Sequence, residues 1–299
     1  MPPLISTVVI TRNRSLEINR CIASVMAQDT TTALIVVDNA SDEPLRIPSQ
    51  TGMTVFRLNA PHGVASARNA ALRGVKTPFV LLLDDDPELP GTTAISSILL
   101  VLQADERIAA LALNCIATNL PPGSERRQMV LAKAVSSNPV LVTTAGVPTT
   151  AAAEFIGAGC AFRTEALRDV GLFCEDFLYG YEELHLAWRM IDRGWVVRYA
   201  PTIEVFHHHS SAWRLSDETR ATSELSNKWH IAAELLPLRG VPRSIAPYTL
   251  KSLWRMRRNG IPPGPALRAA AAAFRRGWRS RRPLSNDTLT KILSIRGRL

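Results

Sequence analysis

Residues 79–89 read FVLLLDDDPEL, where five apolar side chains run directly into three consecutive aspartates. A short apolar run of this kind indicates a β-strand that is buried on both faces, as in the parallel sheet of an α/β protein. Carboxylates on adjacent residues repel one another unless a positive charge lies close by. Because Asp84, Asp85 and Asp86 follow the strand directly, we expect a cation at this point of the sheet.

The first hundred residues alternate between strand and helix patterns. Strands are predicted at 4–10, 33–38, 53–59 and 78–84, and helices at 15–28, 63–75 and 91–104. This alternation predicts an α/β fold with a mostly parallel, Rossmann-like sheet that helices cover on both faces. Ligands of such sheets bind at the carboxyl ends of the strands, which is where Asp38 and Asp84 both fall.

The middle of the chain lacks clear periodicity, and NLPPGSERRQ (119–128) and TTAGVPTTAAA (143–153) are predicted as loops. Regular patterns then return as a helix at 181–193, strands at 195–200 and 202–206, and helices from Ser216 to the end with a break at 260–265. We therefore predict an α/β domain over residues 1–214 and a basic helical extension over 215–299.

The composition is that of an ordinary globular protein, with 299 residues, 46% of them hydrophobic, and a net charge of +9. No apolar run reaches the roughly 18 residues of a membrane helix, and the N-terminus lacks the basic region of a signal peptide. The four cysteines lie far apart without a CxxC spacing, which predicts neither a disulfide framework nor a zinc cluster. These features favour a cytoplasmic location.

Much of the positive charge lies in the last fifty residues, in LWRMRRNG (253–260) and FRRGWRSRRP (274–283). Arginine mixed with Trp, Leu and Phe is typical of helices on a membrane surface, so one interpretation is contact with anionic lipid on the inner face of the plasma membrane. The other is an arginine-rich helical cap in water. Nucleic-acid binding is not expected, because the excess charge is confined to the tail and no reader motif appears.

Two stretches carry candidate metal ligands, one of them acidic and the other rich in histidine. Asp84 and Asp86 form a D-x-D pair, and hard cations such as Mg²⁺ and Mn²⁺ prefer carboxylate and phosphate oxygens; the alternative is that aspartates follow strands because they favour turns. In EVFHHHSS, His207 and His209 share one face of an extended chain, while His208 points away. These histidines are interpreted as metal ligands or as exposed loop residues.

Two small-residue stretches indicate close approach of chain segments or ligands. HGVASARNAAL begins a helix whose N-terminus favours anions and whose Arg68 can reach a phosphate, although such helices often simply pack closely on a sheet. FIGAGCAF places two glycines in an apolar run, which indicates that a ligand or another backbone comes near, or that packing alone requires them.

The stretch FLYGYEELHLAWRMIDRG (177–194) places two glutamates at a predicted helix start. Glu182 and Glu183 are interpreted as a general base for an incoming hydroxyl or as an ordinary pair favoured by the helix dipole. His185 and Arg189 lie at helical spacing from Glu182 and are predicted to help hold the site together.

The chain resembles the family 2 glycosyltransferases over residues 4–211, through an ordered series of stretches: VVITRNR, VVDNASDE, GVASARNAAL, LLLDDDPEL, GAGCAFRTEALRDVGLF, FLYGYEELHLAWRMIDRGWVVRYAP and VFHHHS. Each stretch alone is loose, but the ordered series is specific. The resemblance implies a GT-A fold and an inverting transfer of sugar from a nucleotide-diphospho-sugar donor, assisted by Mg²⁺ or Mn²⁺, to an acceptor hydroxyl. The acceptor class it implies is a cell-envelope glycan, a lipid-linked molecule or a small natural product.

By this resemblance, the donor-binding residues lie after successive strands. Thr11 and Arg12 match the loop that lines the nucleotide pocket. Asp38 matches the acid that binds the base, and Arg68 matches an arginine near the ribose and diphosphate.

The remaining implied site residues surround the leaving group. Asp84 and Asp86 match the D-x-D pair, with Asp86 as the metal ligand and Asp85 among the donor-binding residues. His207 matches the histidine that completes the metal site. Glu183 matches the catalytic base, which would deprotonate the acceptor as the nucleoside diphosphate leaves against the metal.

Two departures from the family pattern keep alternatives open. The family's Glu-Asp motif appears here as Glu182-Glu183, so either glutamate is a candidate base, and His185 replaces an aspartate, where it can alter acceptor contacts or pair with a phosphate. A non-catalytic sugar-nucleotide binder would explain this variation as lost activity. A nucleotidyltransferase is the other alternative, disfavoured because TRNRSLE lacks the glycines of its usual phosphate loop.

Overall fold

The computed structural model describes residues 2–48, 51–118, 135–136, 139–208 and 215–297. Within these residues the strands are β1 (Ile5–Thr11), β2 (Ala33–Asp38), β3 (Met53–Arg57), β4 (Phe79–Leu83), β5 (Pro87–Glu88), β6 (Ile108–Ala117), β7 (Val142–Thr144), β8 (Val147–Ala151), β9 (Gly159–Arg163) and β10 (Val196–His207). The helices are α1 (Ser15–Met26), α2 (Val64–Leu72), α3 (Ala94–Ala104), α4 (Thr164–Val170), α5 (Glu182–Asp192), α6 (Asp217–Leu235), α7 (Gly240–Arg258), α8 (Pro263–Arg279) and α9 (Asn286–Arg296).

The strands form one mixed sheet in the order β3-β2-β1-β4-β9-β6-β10-β8-β7, and β5 pairs with the end of β10. The pairs β3-β2, β2-β1, β1-β4 and β6-β10 are parallel, whereas β9 runs antiparallel to both β4 and β6. The predicted α/β fold with a mostly parallel sheet is therefore confirmed.

Helices cover both faces of this sheet, which explains why its central strands are apolar throughout. Along β4, Val80 and Leu82 belong to one core cluster and Leu81 and Leu83 to the other, as the alternation of side chains in a strand requires. Helices α2, α4, α5, α6 and α9 contribute to the first cluster, and α1 and α3 contribute to the second.

The sheet topology brings the predicted site residues to one edge. Thr11 and Asp38 are register partners at the carboxyl ends of β1 and β2, and Leu83, the last residue of β4, lies two strands from Asp38. The short strand β5 pairs with β10 so that His207 lies opposite Pro87, directly after the three aspartates. This pairing brings His207, which is distant in sequence, close to the end of β4.

The structure differs from the prediction in the middle of the chain. Residues 143–153 were predicted as a loop, which is wrong, since most of them form the hairpin β7-β8 with Ala145 and Gly146 at positive φ in its turn. Strand β6 was not predicted, and the two strands predicted at 195–200 and 202–206 form the single strand β10, with a register irregularity between Ala200 and Glu204. The stretch NLPPGSERRQ lies outside the described residues.

The C-terminal helices pack on the same core as the sheet. Ile231 and Leu235 of α6 and Ile292 of α9 belong to the larger core cluster, while α6, α7 and α8 share a small cluster of their own. The division of the chain at residue 214 stays a prediction. Within the described residues, no helix is long and apolar enough to cross a membrane.

The alanine-rich sequence of α8 has a packing role. Ala266, Ala270, Ala273 and Gly277 are its buried residues, and they recur at helical spacing along one face. A Cβ atom added at Gly277 would overlap the backbone oxygen of His230 on α6 and lie 3.0 Å from its ring carbon Cδ2. The close approach of α6 and α8 therefore depends on the absence of a side chain at Gly277.

We expect Gly277→Ala to lower the free energy of unfolding by about 1–3 kcal/mol, because the added methyl group meets fixed backbone and separates the two helices. Gly264→Ala, on the same helix, is the matched control; its Cβ would meet only the end of the Arg268 side chain, at 3.7 Å, so a change below about 0.5 kcal/mol is expected. Urea denaturation measures both, and equal stabilities of the two variants would contradict the packing argument.

Candidate active site

Each aspartate after β4 has a different basic group of the protein as its nearest partner. Asp84 Oδ1 lies 3.0 Å from Arg68 Nη2, and Asp85 Oδ1 lies 2.8 Å from Arg14 Nη1. Asp86 Oδ1 lies 2.8 Å from the Nε2 atom of His207. From the sequence we expect a bound cation to offset the repulsion among the three aspartates. In the structure, basic side chains of the protein already lie close to all three carboxylates.

Asp85 is buried and links the loop after β4 to the loop after β1. Its Oδ2 accepts a hydrogen bond of 2.8 Å from the Thr11 hydroxyl, and its other oxygen accepts one from Arg14. Burial raises the pKa of Asp85 to about 6, although the nearby Arg14 guanidinium opposes the shift. Thr11 and Asp85, both predicted to bind the donor, are thus hydrogen-bonded to each other. The contact of Asp85 with Arg14 was not predicted from the sequence.

Arg68 is the central side chain of the site, and only 2% of it is exposed. Its Nη1 lies 3.1 Å from Glu183 Oε1 and 3.3 Å from Glu182 Oε1, while its Nη2 pairs with Asp84. Burial alone would lower the pKa of Arg68, but the three carboxylates outweigh it and raise the pKa above its ordinary value. One guanidinium therefore joins the start of α5 to the end of β4.

Gly157 makes room for this guanidinium. A Cβ atom at this position would overlap the Arg68 guanidinium, with Nη1 only 2.6 Å away. The backbone N–H of Gly157 also donates a 3.2 Å hydrogen bond to Glu183 Oε1. The glycine pair in FIGAGCAF indicated a close approach, and at Gly157 the partner is a charged side chain of the protein.

The two glutamates at the start of α5 differ in their surroundings. The Glu182 side chain is 4% exposed and that of Glu183 is 18% exposed. Burial, reinforced by the charge of Glu183, raises the pKa of Glu182 to about 8 against the opposing effect of Arg68. The raised pKa favours the protonated form of Glu182, and Glu183 is the more accessible of the two glutamates.

A strained turn precedes these glutamates. Gly180 and Tyr181 have φ angles of +81° and +69°. A tyrosine in this left-handed region is strained, so contacts with its surroundings must stabilise the conformation. Asn227 of α6 donates hydrogen bonds of 3.0 Å to the carbonyl of Tyr179 and 2.7 Å to that of Gly180. A residue of the C-terminal helices, absent from the sequence-based set, thus holds the turn that aims the glutamates.

The sequence predicts that His185 and Arg189 help hold the site together. In the structure both side chains bond to residues of neighbouring elements. His185 is buried, and its Nε2 lies 2.9 Å from Glu234 Oε2 of α6, while His230 Nε2 lies 3.0 Å from the same oxygen. Burial opposes ionisation of Glu234, but these two hydrogen bonds outweigh it and lower its pKa to about 2. Arg189 donates to the carbonyl of Leu172, so both side chains connect α5 to its neighbours rather than facing a substrate.

His207, the last residue of β10, and His208 point to different sides, as the strand alternation predicts. His207 pairs with Asp86, whereas the ring of His208 lies between Glu88 and Thr118, at 3.0 Å from Glu88 Oε2 and 2.7 Å from Thr118 Oγ1. His209 lies outside the described residues. Asp86 and His207 together offer a carboxylate oxygen and an imidazole nitrogen, a donor set that fits a divalent cation.

Asp38, which the resemblance implies as the residue that binds the base, is the last residue of β2. Its Oδ1 accepts a 2.8 Å hydrogen bond from the Ser41 backbone N–H, and its Oδ2 lies 3.2 Å from Arg57 Nη1. The predicted nucleotide-pocket residue Arg12 is 40% exposed and lies 3.5 Å from Asp42. The Arg12 side chain therefore lies at the rim of this edge, and Arg57 is a further basic residue there.

Comparisons with known proteins agree with this geometry. A profile of the family "Glycosyl transferase family 2" matches residues 6–171, more than half of the chain. The pre-mycofactocin glycosyltransferase of Mycobacterium tuberculosis (strain CDC 1551 / Oshkosh) is 28% identical over 218 residues, which cover 70% of this chain and 44% of the relative. The chain thus spans less than half the length of this curated relative.

Solved structures share the fold at low sequence identity. The mannosyltransferase PcManGT from Pyrobaculum calidifontis, in complex with GDP-Man and Mn²⁺, superposes with a TM-score of 0.56 and 18% identity over 98% of this chain and 79% of its own. TarS of S. aureus, residues 1–349 in complex with UDP-GlcNAc, gives a TM-score of 0.56 and 15% identity over 82% of this chain and 71% of its own.

The family match selects among the functions that the sequence left open. It favours transfer of a glycosyl group over transfer of a nucleotidyl group or simple binding of a sugar nucleotide. The GT-A fold of the solved relatives accords with the order of strands described above. The chain therefore belongs to glycosyl transferase family 2.

Proposed function

We propose that this protein is a glycosyltransferase that inverts the anomeric carbon of a nucleotide-diphospho-sugar in a single displacement, with Glu183 as the base. The observation that carries the proposal is the shared guanidinium of Arg68, which bonds Glu183 at 3.1 Å and Asp84 at 3.0 Å. It holds the candidate base beside the acids of the D-x-D motif. An acceptor hydroxyl and a leaving diphosphate can therefore meet on one side of the sheet edge.

In this mechanism Glu183 removes the proton of the acceptor hydroxyl as its oxygen attacks the anomeric carbon. The bond from that carbon to the diphosphate oxygen breaks in the same step, and the diphosphate departs with the electron pair. Gly157 N–H and Arg68 hold Glu183 in place. Most of the acceleration is expected from this positioning and from charge stabilisation at the leaving group.

The donor site is proposed to use the remaining residues of the edge. Asp38 binds the base, and Arg12 lies at the rim of the nucleotide pocket. The side chain of Asp84 is 34% exposed and can therefore contribute to donor binding. Asp86 and His207 would hold Mg²⁺ or Mn²⁺, which when bound neutralises negative charge on the diphosphate. Mn²⁺ in the PcManGT complex supports this class of ion.

We expect Glu183→Gln to lower kcat by about 10²–10⁴-fold, because glutamine cannot accept the proton of the acceptor. Glu182→Gln is the matched control; the Glu182 side chain is 4% exposed, against 18% for Glu183, so it is less accessible to an acceptor and the kcat of the variant should stay within about tenfold of wild type. Release of nucleoside diphosphate from a panel of sugar nucleotides measures both. The reverse ranking of the two variants would assign the base to Glu182.

We expect Asp86→Ala to weaken the binding of Mn²⁺ by about tenfold or more, because the variant lacks the carboxylate that faces His207. Asp217→Ala removes an exposed carboxylate at the start of α6 and should leave Mn²⁺ binding unchanged. Titration of each protein with Mn²⁺ alone, monitored by electron paramagnetic resonance, measures the affinities to be compared. Unchanged affinity in Asp86→Ala would exclude this residue as a ligand.

We also propose that the chain works at an anionic membrane surface in the cytoplasm, where an acceptor can be lipid-linked, and that residues 215–299 form a helical region for this contact. Leu250 and Trp254 lie four residues apart on α7 and are 71% and 60% exposed. Arg258 lies over the Trp254 ring at 5.4 Å. Exposed apolar side chains beside arginine support an interfacial helix.

We expect the double variant Leu250→Ser, Trp254→Ser to bind vesicles of anionic phospholipid about tenfold more weakly than wild type, because both apolar contacts with the interface are lost. Leu16→Ser, which removes an 85% exposed leucine from α1, is the control and should bind as wild type does. Vesicle flotation measures all three proteins. Equal flotation of the double variant would instead support an arginine-rich cap in water.

A further inference from the structure

A cluster of three potential metal ligands lies outside the donor site. Cys174 and Asp176 belong to the segment between α4 and α5, and His230 lies on α6. One ligand atom from each of these residues lies within 4.8 Å of the others. A thiol, a carboxylate and an imidazole from two separate elements thus converge on one place.

The imidazole of His230 is arranged as a metal ligand would be. Only 3% of its side chain is exposed, and its Nε2 lies 3.0 Å from Glu234 Oε2. Because an ionised carboxylate only accepts, this contact places a proton on Nε2 and leaves the lone pair on Nδ1. Among the described residues, the buried Nδ1 has no hydrogen-bond partner.

We propose that Cys174, Asp176 and His230 bind a zinc ion, with a water molecule as the fourth ligand. Cysteine sulfur, histidine nitrogen and a carboxylate oxygen are the ligands that zinc takes in tetrahedral sites. Asp176 is 46% exposed, which gives water access to the site. Glu234 holds the imidazole through its second nitrogen, as carboxylates next to zinc-bound histidines do.

The chemistry of this site differs from that of the donor site. A thiolate is a soft ligand that selects zinc, whereas the carboxylate-rich end of β4 suits Mg²⁺ or Mn²⁺. The thiol of Cys174 releases its proton to water when the ion binds. The two sites share no ligand, so each can be emptied by mutation without removing the ligands of the other.

The zinc ion would fix the segment that leads into the base-bearing helix. In the same segment, Glu175 accepts a 2.9 Å hydrogen bond from Asn69 of α2, and Asp176 Oδ2 lies 3.4 Å from Arg276 Nε of α8. The ion adds a link to α6, the helix whose Asn227 already holds the turn at Gly180. It therefore acts on the position of α5 without touching the reacting atoms.

Titration of the full-length, chelator-treated protein with Zn²⁺ alone tests the proposal. We expect one tightly bound ion per chain in wild type and in Asp86→Ala, and at least about tenfold weaker binding of that ion in Cys174→Ala and in Asp176→Ala, each of which lacks one ligand. Glu234→Gln should weaken binding by about 10–100-fold. Addition of Co²⁺ alone should produce a thiolate-to-metal absorption band that Cys174→Ala lacks.

Cys115→Ala, which removes a buried cysteine elsewhere in the core, is the matched control and should keep both the zinc ion and the cobalt band. If Cys174→Ala fails to fold, Asp176→Ala at an exposed position carries the test alone. The proposal is overturned if wild type binds no zinc. It is equally overturned if Asp86→Ala loses the ion while Asp176→Ala retains it.

Discussion

The buried guanidinium of Arg68 is the interaction on which the site depends. It lies among Asp84, Glu182 and Glu183, and leaving these carboxylates without it would place uncompensated charge inside the protein. The same burial raises the pKa of Glu182, the least accessible of the three acids. Gly157 lacks a side chain because the guanidinium fills that space.

The sheet explains how so many charged groups can meet at one edge. Its central strands bury apolar side chains on both faces, so polar residues collect where the strands end and the loops begin. There Arg14 and His207 face Asp85 and Asp86, and the antiparallel contact of β5 with β10 supplies the histidine. Each of these two carboxylates thus lies beside a basic group of the protein.

The C-terminal helices take part in this arrangement rather than merely following it. Asn227 holds the strained turn before α5, and Glu234 bonds His185 on α5 itself. These contacts set the direction of α5 from α6, a helix that comes later in the chain. The region that the sequence marks as a basic extension thus supports the glutamates, and its close packing relies on the small residues of α8.

The α/β fold, the acids at the strand ends and the family can all be predicted from the sequence, because apolar runs, alternation and ordered motifs are local features of the chain. It did not distinguish Glu182 from Glu183, since both stand at the same helix start and only burial beside Arg68 separates them. It also missed β6, the hairpin β7-β8, Arg14 and Asn227. Their roles arise from contacts between residues far apart in the chain, and only the tertiary structure brings such residues together.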